Sequence, residues 1–68
     1  MLSYKPLWET LKNKNHTVYW LMKQGIDKKT IYNLQHNKNT TLLTMERICK
    51  ILDCKIDEAV EFSEEEEI

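Results

Sequence analysis

Apolar residues recur along this chain three and four positions apart, which is the repeat of an α-helix that buries one face. The first such stretch, about residues 4–14, places Leu7, Trp8 and Leu11 on one side, and Ser3 is predicted to cap its start. No stretch alternates convincingly between apolar and polar residues at period two, the pattern of a half-buried strand. The sequence therefore predicts an all-α protein.

The same spacing predicts four further helices. The second begins at Thr17, the third is Lys28–His36 after a cap at Asp27, and the fourth runs from a cap at Thr41 to about residue 52. A short fifth helix is predicted over about residues 57–61. The residues of these helices that are predicted to face the core are Val18, Trp20, Leu21, Ile31, Leu34, Met45, Ile48, Leu52, Ile56, Val60 and Phe62.

A turn separates the second and third predicted helices. Gly25 is the only glycine in the chain and follows a helical run, so it is predicted to supply the positive φ that ends the second helix. Asp27 then caps the third helix, and Asn37 is predicted to end it, because asparagine tolerates the left-handed conformation. Two short helices joined in this way form a helix-turn-helix.

The third predicted helix has two different faces. Ile31 and Leu34 share the inner one, while the positions opposite and beside them are polar or aromatic. An exposed side made of cations and amides suits a helix that enters a groove of nucleic acid. The residues on this exposed side are Lys28, Lys29, Tyr32, Asn33 and His36.

Four segments, in order, resemble a known family. They are SYKPLW, GIDKKTIYNL, MERICKILDC and IDEAVEF, which together span residues 3–62. They resemble the short stand-alone members of the Cro/CI-type (XRE-like) helix-turn-helix regulators of bacteria and phages. The resemblance implies a five-helix, lambda-repressor-like domain over residues 1–62, which binds double-stranded DNA as a transcriptional regulator, more often a repressor than an activator. Leu21 stands where many members carry a small residue, so we expect a slightly shifted crossing angle between the two helices.

The resemblance also implies which residues contact DNA. In this family the start of the third helix, and a position one turn later, reach base edges in the major groove. Lysine can donate to guanine, asparagine can pair with adenine through two hydrogen bonds, and a tyrosine ring can contact the thymine methyl group. The starts of helices and the loop before the fourth helix are suited to bind the phosphate groups of DNA. Each threonine there is also explained as a cap or turn residue. Base contacts are predicted for Lys28, Lys29, Tyr32 and Asn33. Phosphate contacts are predicted for Thr17, Thr30, His36, Lys38, Asn39, Thr40 and Thr41.

Charge is distributed unevenly along the chain, which has a formal net charge of −1. Residues 1–56 contain all ten basic residues and four of the acidic ones, a net charge of +6, and the other seven acidic residues follow. A basic body favours binding to phosphates, although lysines also simply solubilise a small domain. Residues 63–68 are predicted to be a disordered acidic tail, which either aids solubility or imitates phosphate and weakens non-specific DNA binding.

Several classes of function are disfavoured by the sequence. A chain of 68 residues forms one small domain without room for a deep substrate cavity, and no catalytic grouping or phosphate-binding glycine loop is present. Cys49 belongs to the apolar face of the fourth helix and Cys54 follows it, so we expect neither a disulfide nor a metal site. We expect no enzyme activity, cofactor, small-molecule ligand or membrane segment, and a cytoplasmic location.

The expected partners are DNA and a second copy of the chain. One helix reads only about four or five base pairs, so we expect a homodimer, at least on DNA, with Tyr19, Val60 and Phe62 as candidates for its interface. Two alternatives remain open. One is a protein-interaction module, such as an antitoxin-like or anti-defence factor. The other is single-strand or RNA binding on Trp8 and Trp20, although both are predicted to face inward.

Overall fold

The computed structural model describes residues 1–63 and confirms a mostly helical fold. Within those residues there are four α-helices rather than the five that were predicted. A single turn of 3₁₀ helix follows them, and two short antiparallel strands pair near the chain ends. The α-helices are α1 (Lys5–Asn13), α2 (Val18–Lys23), α3 (Lys28–Gln35) and α4 (Leu42–Leu52). The strands are β1 (Leu2–Ser3) and β2 (Glu61–Phe62), and the 3₁₀ helix is Ile56–Glu58.

The prediction of an α-helix over residues 57–61 was wrong. A capping interaction holds the 3₁₀ turn, because the Glu58 carboxylate accepts the Lys55 N–H at 2.9 Å. The chain then becomes extended so that β2 can pair with β1, with Leu2 opposite Phe62. Pairing between residues about 60 positions apart thus overrides the local helical pattern.

The core is formed by all four helices and by residues outside them. Tyr4 and Ala59 are buried although neither was predicted to be, while Ile56 and Phe62, which were predicted to close the core, are 49% and 84% exposed. These two predictions were wrong because they assumed the phase of an α-helix over a segment that turns into a strand. Trp8, Val18, Trp20 and Val60 are half-buried against the core. The buried residues are Tyr4, Leu7, Leu11, Leu21, Ile26, Ile31, Leu34, Met45, Ile48, Leu52 and Ala59.

Three of the predicted helix starts are confirmed. The Thr17 hydroxyl accepts the Trp20 N–H at 3.0 Å, and the Thr41 hydroxyl accepts the Thr44 N–H at 3.1 Å. Asp27 caps α3 in the same way. The prediction that Ser3 caps α1 was wrong, because that helix begins one residue later, after Tyr4, and has no side-chain cap.

The helix ends use left-handed residues. Gly25 has φ +108° after α2, and Asn37 has φ +55° after α3, as was predicted for both. Asn15 and Asp53 have φ +61° and +53° after α1 and α4. Short helices are therefore stopped sharply by residues that tolerate positive φ, which keeps the turn between α2 and α3 compact.

Candidate nucleic-acid interface

Helix α3 is anchored on one side and open on the other. Ile31 and Leu34 are buried on its inner face. Leu21 of α2 and Ile26 of the turn belong to the same buried core. The outer face carries exposed side chains, among them Lys28, Lys29 and Tyr32. A helix held in this way is presented to a partner as a rigid element.

The predicted base-contact residues all lie on α3. Lys28 and Lys29 are exposed, Tyr32 is 51% exposed, and Asn33 is half-buried. The lysines are the first two residues of the helix, and its first turn contains no acidic residue. Cations at this end oppose the helix dipole, at a cost of about 0.3–1 kcal/mol each at exposed sites. Two lysines at this position therefore do not serve the stability of α3, which is typical of a functional surface.

Tyr32 is the centre of a small cluster at the end of α3. The His36 ring lies 4.1 Å from the Tyr32 ring, centroid to centroid, and the Lys38 Nζ lies 5.7 Å from the same centroid. A cation over the face of a tyrosine is attracted by the ring quadrupole. The cluster brings one residue predicted to contact bases together with two predicted to contact phosphate.

Tyr4 holds the loop that follows α3. Its hydroxyl donates to the Lys38 carbonyl at 2.8 Å and lies 3.2 Å from the Thr40 hydroxyl. Its N–H donates to the side-chain oxygen of Asn37 at 2.9 Å. The loop that carries three predicted phosphate contacts, Lys38, Asn39 and Thr40, is thus fixed to the start of α1.

The backbone also fixes the geometry of this loop. The Lys38 N–H donates to the Asn33 carbonyl at 2.7 Å, and the Asn37 N–H donates to the Leu34 carbonyl at 3.4 Å. These two bonds form a Schellman motif around the left-handed Asn37. The direction in which Lys38 leaves α3 is therefore set by the end of the helix itself.

The threonines predicted to contact phosphate already have structural partners. Thr17 and Thr41 cap α2 and α4, the Thr40 hydroxyl contacts Tyr4, and Thr30 hydrogen bonds to Asp27. A capping hydroxyl keeps its helix start in place, and the free N–H groups of that start can still bind an anion. Phosphate binding through these threonines remains a prediction.

Asp27 is the only acidic residue within the helix-turn-helix segment, residues 17–38. Hydrogen bonds from the Thr30 side chain and N–H lower the pKa of Asp27 below its ordinary value of 3.8. The carboxylate therefore remains ionised at neutral pH and offsets part of the repulsion between the helix dipole and the two adjacent lysines.

The lowered pKa of Asp27 predicts a pH dependence of stability. A carboxylate with a depressed pKa in the folded state contributes stability above its unfolded pKa and loses it as pH falls through the folded value. We expect Asp27→Asn, which caps a helix about as well, to match the wild type more closely at low pH than at neutral pH. Urea unfolding at several pH values between about 2 and 7 measures this. A difference between the two proteins that does not change with pH would contradict the assignment.

Arg47 is a structural residue that the sequence pattern did not reveal. Its guanidinium donates to the Gly25 carbonyl at 3.1 Å, which joins α4 to the turn of the helix-turn-helix. A Cβ added at Gly25 would meet the same guanidinium nitrogen at 3.1 Å. The turn therefore depends on Gly25 for its φ and on Arg47 for its position.

The tryptophans do not form an open stacking surface. Trp8 and Trp20 are half-buried and pack against the core, and the Trp20 ring is covered by His16, with 3.6 Å between the ring centroids. Each stacking platform for a single-stranded base would need an uncovered aromatic face. The observed packing weakens the single-strand alternative.

The two cysteines are free thiols at the end of α4. Both are half-buried and pack against the core, Cys49 from the apolar face of α4 as was predicted. Burial, and then the neighbouring Cys49, raise the pKa of Cys54 to about 11, which keeps its thiol protonated at neutral pH. Over residues 1–63 no group of three or more metal-binding side chains is present. Among the described helices, none is both long and apolar enough to span a bilayer.

Two short helices, α2 and α3, that each anchor one side in the core, an open lysine-rich face on α3 and a fixed loop beside it define a helix-turn-helix domain. The family model of the Cro/C1-type helix-turn-helix DNA-binding domain matches residues 6–65, so the chain belongs to this family. Among solved structures, it is similar to the transcriptional regulator VanUg, in a crystal structure designated Form II. The two are 30% identical, with a TM-score of 0.83 over 88% of this chain and 81% of that chain. No curated protein matches the chain at a significant level.

Proposed function

We propose that this protein is a small transcriptional regulator, acting as a repressor, that reads double-stranded DNA with α3 in the major groove. The observation that carries the proposal is the pair of exposed lysines at the start of α3, with Asn33 one turn later on the same helix. Their placement costs helix stability unless acceptors from a partner come close to them. Bases and phosphates of DNA supply such acceptors.

Each residue of the α3 face has a chemical role in this proposal. Lys28 and Lys29 donate to guanine O6 and N7 or to nearby phosphates. Asn33 pairs with an adenine edge through two hydrogen bonds, and the exposed part of the Tyr32 ring contacts a thymine methyl group. Because Tyr32 also contacts His36 and Lys38, its orientation is limited before DNA arrives.

Phosphate contacts would hold the domain in register. In the proposal, Lys38, Asn39 and the start of α4 meet the backbone on one side of the groove, and the start of α2 at Thr17 meets it on the other. The hydrogen bonds from Tyr4 keep the loop in one conformation, so little entropy is lost when it binds. Two copies on a palindrome would double the number of base pairs that are read.

Selection from a random duplex library tests this proposal. We expect wild-type protein to enrich a short palindrome with half-sites about 10–11 base pairs apart, and Lys29→Ala and Asn33→Ala to weaken or alter that enrichment. Gln35→Ala is the control, since Gln35 is exposed on the same helix but is not a predicted contact. Circular dichroism of each variant verifies that α3 is still folded.

Retention of DNA without enrichment of any sequence would overturn the proposal, because only a basic surface would then remain. Enrichment that survives both substitutions unchanged would also contradict it, since the reading surface would have to lie elsewhere. In the first case, a search for a protein partner would be the next experiment.

A further inference from the structure

The two cysteines of the chain share the cap that ends α4. The Cys54 N–H donates to the Cys49 carbonyl at 3.0 Å, and the Asp53 N–H donates to the Lys50 carbonyl at 3.3 Å. With Asp53 at φ +53°, these bonds form a Schellman motif, the same arrangement that ends α3. The side chains at the positions of Cys49 and Cys54 in this motif usually make an apolar contact with each other. In this protein both positions carry a thiol.

The cap brings the two cysteines close enough to be bridged. With standard bond lengths, the hydrogen bond from the Cys54 N–H to the Cys49 carbonyl keeps the two Cα atoms within about 7 Å of each other. Cysteines separated by more than about 7 Å cannot form a disulfide unless the backbone moves. The side chains also meet, because a hydrogen bond between the two thiols contributes to the raised pKa of Cys54. The fold therefore holds the thiols as a pair.

Both thiols are within reach of a small reagent. Each side chain is half-buried, so part of its surface remains in contact with solvent while the domain stays folded. The groups around Cys54 come from three elements, namely Cys49 of α4, Glu58 of the 3₁₀ helix and Lys14 after α1. Neither cysteine belongs to the proposed DNA contacts, and an apolar contact at the end of α4 does not need sulfur at both positions. DNA binding and core packing thus leave the pair of thiols unexplained.

We propose that Cys49 and Cys54 are a redox-active dithiol, which a small-molecule disulfide such as oxidised glutathione converts reversibly into an intramolecular disulfide. The Cys49 thiolate attacks one sulfur of glutathione disulfide, whose S–S bond breaks, and one glutathione thiolate leaves. Cys54 then loses its proton to water and attacks the Cys49 Sγ of the mixed disulfide. The bond between the two cysteines forms, and the second glutathione thiolate leaves. Two electrons pass from the protein to the oxidant, and the two protons of the protein thiols end on glutathione.

The surroundings of Cys54 set the order of these steps. Burial, and then the charge and hydrogen bond of Cys49, raise the pKa of Cys54 to about 11, so its thiol is a poor first nucleophile at neutral pH. Once Cys49 is bound in the mixed disulfide, it can no longer carry a negative charge. One of the causes that raise the pKa of Cys54 is then removed, and the second attack becomes easier. Reaction at Cys49 therefore prepares Cys54 for its own step.

Closure of the disulfide would link α4 to the segment that follows it. The 3₁₀ helix in that segment is held on α1, because the Glu58 carbonyl accepts the Thr10 hydroxyl at 2.7 Å. Folding favours closure, since the folded chain already holds the thiols together, and closure must favour folding by the same factor. The stability of the domain therefore depends on the redox state of its surroundings.

Equilibration of the full chain with mixtures of oxidised and reduced glutathione tests the proposal. Acid quenching, alkylation and mass spectrometry then count the free thiols and the bound glutathione in each chain. We expect folded protein to lose both thiols without retaining glutathione, with an equilibrium constant at least about tenfold larger than that of the same chain unfolded in urea. An equilibrium constant that is no larger in the folded protein would overturn the proposal, and so would persistent mixed disulfides or cross-linked chains.

Two single substitutions separate the roles of the thiols. Cys54→Ser should retain one glutathione per chain, because no second thiol can displace it. Cys49→Ser should react more slowly than Cys54→Ser, since burial still raises the pKa of the remaining thiol. Equal rates in the two variants would contradict the proposed order of steps. Circular dichroism verifies that each variant is folded, and the comparison of folded with unfolded wild type decides the question if either is not.

Thermal melting measures the effect of closure on stability. The oxidised protein should melt at a higher temperature than the reduced protein, and addition of a reductant should remove the difference. An unchanged melting temperature after complete closure would contradict the linkage between closure and folding. These measurements use no DNA, so they decide the proposal whether or not the proposed function is correct.

Discussion

Replacing Leu34 with alanine is expected to lower the free energy of unfolding by about 2–5 kcal/mol. Leu34 is fully buried on the inner face of α3, where its loss would leave a cavity against the core. A domain of this size has a total stability near the low end of the usual range of about 5–15 kcal/mol. Urea denaturation followed by circular dichroism should therefore show a remaining free energy of unfolding of about 0–3 kcal/mol, with up to about half of the protein unfolded in water.

Gln35→Ala is the matched control for this substitution. Gln35 is the next residue on α3 and is exposed, and alanine favours the helical conformation. We therefore expect the free energy of unfolding to change by no more than about 0.5 kcal/mol. If Leu34→Ala has as small an effect as the control, the packing of α3 against the core cannot be what holds the proposed reading face in place.

Raising the salt concentration from 50 to 200 mM is expected to weaken binding to a specific operator about 10³-fold. Lys28 and Lys29 at the start of α3 and Lys38 after its end all belong to the proposed interface, so a dimer would bring six lysines to the DNA. Release of about six counterions gives a slope of about −5 in a plot of log affinity against log salt concentration. Fluorescence anisotropy with a labelled duplex measures this slope.

Lys38→Ala tests which cations produce the salt effect. The variant lacks one lysine in each copy, so the slope should become shallower by about two units. Lys55→Ala, which removes a cation at the start of the 3₁₀ helix, should leave the slope unchanged. Equal effects of the two substitutions would indicate a diffuse attraction of the whole basic body rather than a contact at the loop after α3.

Most of the helix-turn-helix was predictable because its signals are local. A threonine or aspartate before an apolar repeat caps a helix through a neighbour three residues away, which is how Thr17, Asp27 and Thr41 behave. A glycine or asparagine after such a repeat ends it with positive φ, as Gly25 and Asn37 do. These features depend on a few consecutive residues, so they can be read without knowledge of the rest of the fold.

The C-terminal segment was not predictable in the same way. Its conformation is set by pairing between β2 and β1, which are about 60 residues apart in the chain. The repeat over residues 56–62 suits a helix, and only the position of the first strand reveals why Phe62 is exposed and Ala59 is buried. The acidic tail that was predicted over residues 63–68 lies outside the described residues from position 64 onward.

The proposed site, too, was predictable from the sequence only in part. The polar face of α3 follows from its helical period, whereas the residues that hold the site depend on contacts between distant segments. Tyr4 precedes Leu7 and Trp8 by three and four positions, so its burial was detectable as part of the same apolar stripe. That its hydroxyl would fix the loop at Lys38, and that Arg47 would reach Gly25, could not be inferred from spacing.

The most direct measurement of the central claim replaces individual adenines of the selected operator with 7-deazaadenine. This base lacks the N7 acceptor in the major groove and leaves the Watson–Crick pairing intact. At one adenine in each half-site, we expect the replacement to weaken wild-type binding by about 1–3 kcal/mol and to leave Asn33→Ala binding unchanged. If no adenine in the operator shows this dependence on Asn33, then Asn33 does not read an adenine edge and the assignment of α3 to the major groove is contradicted.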